Sequence, residues 1–309
     1  MRIVLFAMPG PMALPIVQRL LELPVDVVGL VHPAPLGLPA LTRLPPATPT
    51  TRQEVVTPAN LATLADRAGI PRWAVGRAGL PALAGQLAAQ PIDLALVACW
   101  PWRILADLLR LPQHGFLNVH PSPLPALRGP EPLFWALRLG WMRTAMTLHL
   151  MDEALDHGPI VRQEWFELPL GERLSAIETL AGRVAAQMLP AALADLATAG
   201  WQPQPQPAGG SYYPAPQAAD FTFTADWPVQ RAFAFVRAVA EWGQPFTFIT
   251  ADGQTIVIAD ATAYLAGEQQ ARPIVTSNDQ IALQLHDGIL LTKPASRSQF
   301  SAVVRLTHF

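Results

Sequence analysis

Asn118 and His120 stand two residues apart in FLNVHPSPLPALRG, Phe116 to Gly129, and Pro121, Pro123 and Pro125 follow. Residues i and i+2 of a strand project from one face, so an extended run here aims an amide and an imidazole at the same point. An amide N–H and an imidazolium N–H both donate hydrogen bonds, which suits an oxygen that becomes negative during acyl-type transfer. Pro121 biases His120 toward an extended backbone, and the later prolines stiffen the loop. Alone, the pair fits an amide that satisfies loop backbone and a partly buried histidine better than it fits a catalytic pair. A second segment, MDEALDHG, Met151 to Gly158, adds Asp152, Glu153 and Asp156 after a run with strand character, and Gly158 ends the loop. An acid, an imidazole and an amide could then meet at one sheet edge.

Neighbouring residues invite other readings. His149 and His157 beside Asp152 and Asp156 raise a metal site, yet no H-x-x-x-H or similar spacing supports one, and no metal is assigned. Cys99, directly after an apolar strand, reads as a core residue. Trp100 and Trp102 suit stacking on a flat ring or packing beside Pro101. No G-x-G-x-x-G fingerprint surrounds Gly10.

The elements that must hold these groups alternate. Arg2–Ala7, Val25–Val31, Asp93–Ala98, Gly115–His120 and Ala145–Met151 read as strands, and residues 159–168 as extended. Ala13–Leu23, Ala59–Ala68, Leu80–Ala89, Glu131–Leu139 and Leu174–Ala199 carry helical spacing. Thr147 and His149 share one strand face. Such alternation predicts an α/β fold with a doubly wound, mostly parallel sheet, whose ligand crevice lies outside the carboxyl ends of its strands.

Composition changes at Trp201–Gln217, WQPQPQPAGGSYYPAPQ, which has five prolines and no charge and reads as an extended surface linker. Beyond it one helical stretch, Val229–Val239, precedes short β-rich runs split by Asp-Gly and Asn-Asp turns, the pattern of a small antiparallel barrel. The expected division is 1–200, the linker 201–217, and 218–309.

A length of 309 residues suits two cores. With 51% hydrophobic and 14% charged residues the chain has ample apolar surface to bury. The formal net charge of −2 gives no bulk reason for a polyanionic partner. One cysteine excludes an intramolecular disulfide and a cysteine-cluster metal site and fits a reducing compartment, with the cytoplasm the simplest expectation. MRIVLFAMPGPMALP reads as a buried strand rather than a signal peptide, and no run reaches the roughly 18 apolar residues of a membrane span.

NVHPSPLPALRGPEPLFWAL, Asn118 to Leu137, followed by MTLHLMDEALDHGPIV, Met146 to Val161, resembles the formyltransferase family that includes methionyl-tRNA and glycinamide ribonucleotide formyltransferases. The resemblance extends to MRIVLFA, to LALVACWPWRIL and to the barrel-like C-terminal part. It implies a Rossmann-like formyltransferase fold with an OB-like second domain, and 10-formyltetrahydrofolate as donor. It also implies Asn118, His120 and Asp156 as the catalytic trio, with no metal. The pterin is then expected against the backbone of Trp102, Arg103 and Ile104 and of Asp152, Glu153, Ala154, Leu155 and Asp156. Arg128 matches the family's R-G pair and reads either as a substrate contact or as a loop-fixing side chain held by Glu131 or a carbonyl.

The acceptor is less constrained. From Ala218 to Phe309 six basic residues face eight acids, a poor balance for neutralising RNA phosphates. The loop HPAPLGLPALTRLPPATPTTRQE, His32 to Glu54, has only Arg43 and Arg52 as cations. A small amine such as a nucleotide-linked amino sugar is therefore expected ahead of methionyl-tRNA. A 10-formyltetrahydrofolate hydrolase and a non-catalytic folate-binding module are the other classes open to the same residues.

Overall fold

A computed structural model describes residues 1–35, 39–44, 60–277 and 279–296. Arg52 of the 32–54 loop, and Arg297 and Arg305 of the C-terminal charge balance, lie outside the described residues.

The larger sheet contains β1 (Arg2–Ala7), β2 (Asp26–Pro33), β3 (Leu41–Leu44), β4 (Arg72–Val75), β5 (Leu94–Ala98), β6 (Phe116–His120), β7 (Arg143–Leu150) and β8 (Ile160–Glu167). Its order is β3-β4-β2-β1-β5-β6-β7-β8. The pairs β1–β2, β1–β5, β2–β4 and β5–β6 are parallel, whereas β3–β4 and β6–β7 are antiparallel. β5, LALVA, is buried along its whole length, as expected of a central parallel strand covered on both faces, where an unbroken apolar run replaces alternation. The chain starts in the middle of the sheet and extends to one side before crossing to the other, which leaves a switch-point crevice beside β1 and β5.

Helices α1 (Ala13–Glu22), α2 (Leu61–Arg67), α3 (Leu80–Leu87) and α4 (Ala106–Leu109) connect the strands. α1 buries Ala13, Ile16, Val17 and Leu20, the i, i+3, i+4, i+7 stripe of an amphipathic helix. α2 starts where the Asn60 side chain accepts a hydrogen bond from Thr63 N at 2.9 Å, an N-cap. β3 and β4 fall where the sequence shows no strand pattern, since four residues are too few to display a period.

Two compact units form, each discontinuous in sequence. The first comprises Met1–Gly129, Ala145–Phe166 and Glu178–Tyr212; the second comprises Pro130–Thr144, Glu167–Ile177 and the chain from Tyr213 on. α5 (Pro132–Arg138) belongs to the second unit, where Phe134 meets the rings of Phe221, Phe235 and Trp242. α6 (Leu174–Thr198) continues from one unit into the other. The second unit also holds β9 (Thr222–Thr224), α7 (Val229–Val239), β10 (Phe246–Ile249), β11 (Thr255–Ala266), β12 (Ile274–Thr276), β13 (Ile281–Leu285) and β14 (Gly288–Pro294). Its strands follow the order β12-β13-β14-β11-β10-β9 and are antiparallel except for β9–β10. Among the described residues no helix is long and apolar enough to cross a membrane.

Candidate active site

Antiparallel pairing of β6 with β7 sets Asn118 directly opposite His149 and His120 opposite Thr147. Direct cross-strand partners share a face, so two residues chosen for their spacing along β6 acquire two polar neighbours from β7. Asn118 Nδ2 lies 3.0 Å from His149 Nε2, and His149 Nδ1 lies 3.0 Å from the Leu150 carbonyl oxygen. A carbonyl only accepts, so His149 Nδ1 carries a hydrogen and Nε2 accepts from the Asn118 amide. Burial lowers the His149 pKa from 6.5 to about 4, with the neighbouring His120 adding to the shift and Asp156 opposing it. His149 is therefore a neutral imidazole near pH 7, and Asn118 keeps its second N–H for another acceptor.

The loop after β6 is tied throughout. Thr147 Oγ1 donates to Ser122 O at 2.6 Å, Ser122 Oγ to Ala126 O at 2.7 Å, and Gln163 Nε2 to Thr147 Oγ1 at 2.8 Å. Leu127 adopts φ +56°, a region side-chain-bearing residues rarely enter, and its carbonyl oxygen receives His120 Nε2–H at 3.0 Å. That bond leaves Nδ1 as the free nitrogen of His120.

Asp156 faces it. Its Oδ1 lies 3.7 Å from both His120 Nδ1 and His149 Nε2, while its Oδ2 accepts from Gly129 N at 2.9 Å. Asp156 also has a left-handed backbone, φ +56°, which turns the 151–158 loop back over β7. Gly158 permits the turn, because a Cβ there would sit 1.7 Å from Leu150 O. Asn118, His120 and Asp156 thus converge, with His149 joining the amide to the acid. Beside them, Trp102, Arg103, Ile104, Met151, His149 and residues 152–156 line one cleft. A carboxylate flanked by two imidazoles and an amide, next to a cleft walled by two loops, can polarise a carbonyl and carry a proton.

The family model described as Formyl transferase matches residues 43–193. A methionyl-tRNA formyltransferase of Synechococcus sp. (strain JA-2-3B'a(2-13)) is 32% identical over 298 residues, covering 94% of this chain and 86% of that protein. The chain belongs to the formyl transferase family. A second Synechococcus relative of the same name (strain JA-3-3Ab) is 34% identical over 271 residues, covering 85% of this chain and 78% of that one. The fold of this formyltransferase is shared with a solved N-formyltransferase from Helicobacter canadensis bound to folinic acid and dTDP-3-aminofucose, at a TM-score of 0.63 and 11% identity, covering 96% and 100% of the two chains.

The formyltransferase brings Asn118, His120 and Asp156 together through His149, beside the cleft, and leaves Arg128 and His157 out of that cluster. Trp102, Arg103 and Ile104 meet Asp152, Glu153, Ala154, Leu155 and Asp156 in the cleft. Trp102 packs edge-on to Trp100 with centroids 5.4 Å apart, and Trp100 packs edge-on to Phe6 at 5.2 Å, so Trp100 belongs to the core side of the loop. Arg128 is buried and holds Gln206 Oε1 through Nη2 at 2.7 Å and Gly209 O through Nη1 at 3.3 Å; it fixes loops. His157 is exposed.

Three contributors escape sequence reasoning. His149 was visible in AMTLHLM as a residue sharing a face with Thr147, but its partner Asn118 is defined only by strand pairing. Gln206 and Ser211 lie in the segment read as a surface linker. Instead Ser211 Oγ accepts from Leu127 N at 2.9 Å and Gln206 Nε2 donates to Asp156 O at 2.8 Å. Nothing in Q-P-Q-P-Q announces either contact.

Proposed function

We propose that this formyltransferase moves the formyl group of 10-formyltetrahydrofolate to the primary amine of a small acceptor, such as a nucleotide-linked amino sugar, using Asn118, His120 and Asp156. The donor's pterin lies in the cleft against the main chain of residues 102–104 and 152–156. As the amine nitrogen attacks the formyl carbon, the formyl oxygen becomes negative and receives hydrogen bonds from the free Asn118 N–H and from protonated His120 Nδ1. An anionic Asp156 at 3.7 Å balances the positive imidazole. The tetrahedral centre collapses as the amine gives up one proton through water to Asp156 and that same proton is passed on to the departing folate N10, so that amine and formyl donor become formamide and tetrahydrofolate and Asp156 is again a carboxylate.

The observation that carries the acceptor class is what the second unit does with four of its arginines, Arg138, Arg173, Arg231 and Arg237. Arg138 donates to Asp220 O and Thr222 O and covers Trp227 and Phe235. Arg231 donates to Arg138 O and stacks 3.6 Å from the Trp227 centroid. Arg173 and Arg237 both hold Asp260, at 2.7 and 3.2 Å. Cations committed to their own fold are poor phosphate clamps, and Lys293 is the chain's single lysine.

Methionyl-tRNA is the second reading, favoured by the name of the relative aligned over 86% of its length. Incubating the protein with 10-formyltetrahydrofolate and either methionyl-tRNA or a panel of nucleotide-linked amino sugars separates the two. Formylation of the amino sugars with little on tRNA is expected; formylation of tRNA at a rate that sustains initiation overturns the small-amine reading. Formate release without any amine would make the protein a hydrolase.

A further inference from the structure

The geometry points to Gln206 as a positioning residue that holds the Asp156 loop in register with the His120 loop. It is the centre of a strap, residues 204–212, anchored at both ends. Gln204 exchanges two backbone hydrogen bonds with Ile160 at 2.8 Å each, and Ser211 N donates to Pro125 O at 3.1 Å while Ser211 O accepts from Arg128 N at 2.9 Å. Between those anchors the Gln206 amide meets every requirement of its donors and acceptor. Nε2 donates to Asp156 O at 2.8 Å and to Gly158 O at 2.9 Å, and Oε1 accepts from Arg128 Nη2 at 2.7 Å and Nε at 3.2 Å. An amide has two hydrogens to give and two lone pairs to offer, so its orientation is fixed: no rotation by half a turn satisfies two carbonyls and a guanidinium.

The consequence is a link between the two loops through a single side chain. Arg128 belongs to the loop whose Leu127 carbonyl holds His120 Nε2 and whose Gly129 N–H holds Asp156 Oδ2. Gln206 grips the same loop through Arg128 and, with its other end, the main chain of Asp156 itself. Asp156 stands in a left-handed backbone conformation that few side-chain-bearing residues adopt without support from their surroundings. The Gln206 bond to its carbonyl supplies that support and so sets where the Asp156 carboxylate meets His120 Nδ1.

The inference rests on the proposed role of Asp156, and the two are separable by experiment. Gln206→Glu retains an acceptor for the buried Arg128 and loses both donors to Asp156 O and Gly158 O. Its kcat per folded molecule is expected to fall about 10- to 100-fold with the acceptor KM near the wild-type value, while the melting temperature also falls because two carbonyls lose their donor. Gln206→Met, which fills the space without polar atoms, is expected to show the same loss of kcat and serves if the first variant fails to fold. A folding role alone would lower the melting temperature and leave kcat per folded molecule unchanged. Native kcat in Gln206→Glu or in Gln206→Met, alongside an inactive Asp156→Asn, overturns the positioning role of Gln206. Native activity in Asp156→Asn overturns the underlying assignment instead.

Discussion

The two units treat charge in opposite ways. In the first, His120, His149, Asp156 and Arg128 are each at most 8% exposed, and among the described residues no other ionisable side chains are so buried. In the second, the largest fully buried side chains are rings, Phe221, Phe223, Phe235, Phe246 and Phe248 among them, and Arg138, Arg173, Arg231 and Arg237 lie over aromatic rings or against carbonyls and Asp260. Burying an ionisable group costs stability unless it is paired and hydrogen-bonded. Four such groups gather in one place in the first unit, whereas Arg138, Arg173, Arg231 and Arg237 of the second are engaged in its own packing.

The contrast breaks most sharply at the first unit. His120→Ala and Asp156→Asn should each lower kcat for formyl transfer by about 10²- to 10⁴-fold, the range for losing a positioned acid or base. Circular dichroism should stay native. Asn118→Ala should cost about 10²- to 10³-fold, as for one donor to a developing oxyanion. Near wild-type turnover in any of the three would remove that residue from the mechanism.

A smaller effect concerns His149 and stability. Its pKa is lowered to about 4 in the folded chain against 6.5 in the unfolded one, through burial first and then the charge of His120. Between those values the unfolded chain binds more protons, so stability rises with pH. The contribution is fully present above pH 6.5, falls as the pH drops, and is gone once the pH passes below about 4, a loss of about 3 kcal/mol. Melting temperatures of the wild type and His149→Phe from pH 4 to 7 test this: the wild type should lose more stability on acidification than the variant. Parallel curves would mean that His149 titrates normally.

How far the site was legible before folding follows from the same residues. Asn118 and His120 declare themselves because a strand's period of two is local, and Pro121 marks the strand's end. Asp156 becomes specific only through the paired motifs, since its reach to His120 depends on a left-handed turn that its own sequence does not display. His149 and Gln206 stay hidden because their partners lie 31 and 50 residues away, a separation that only pairing and packing define. The same reason assigns α5 to the second unit: its helical pattern is plain, but the rings that receive Phe134 come from far along the chain.

In the second unit the expected change is stability without activity. Asp260→Ala leaves Arg173 and Arg237 without their shared carboxylate. These guanidinium groups are about one-third exposed, so water replaces part of what is lost and the cost should be roughly 1–2 kcal/mol. Chemical denaturation should detect it. A matching fall in kcat would contradict the division of labour.

The smallest predicted effect is the most discriminating for the acceptor. Gripping RNA releases counterions in proportion to the phosphates neutralised, so affinity falls steeply with salt, by about 10³- to 10⁵-fold between 50 and 200 mM for a protein making six to ten such contacts. A small amine acceptor carrying one diphosphate engages few cations, and among the described residues Arg138, Arg231, Arg173 and Arg237 are held at Trp227, at backbone carbonyls and at Asp260. The acceptor KM should therefore change only about threefold or less across that salt range, with kcat constant. A steep rise in KM would mean that Arg138 and Arg231 leave their present partners for phosphate. Arg231→Ala would then flatten the salt dependence, whereas for a small acceptor the same substitution should alter stability alone, through the lost cation–π contact with Trp227.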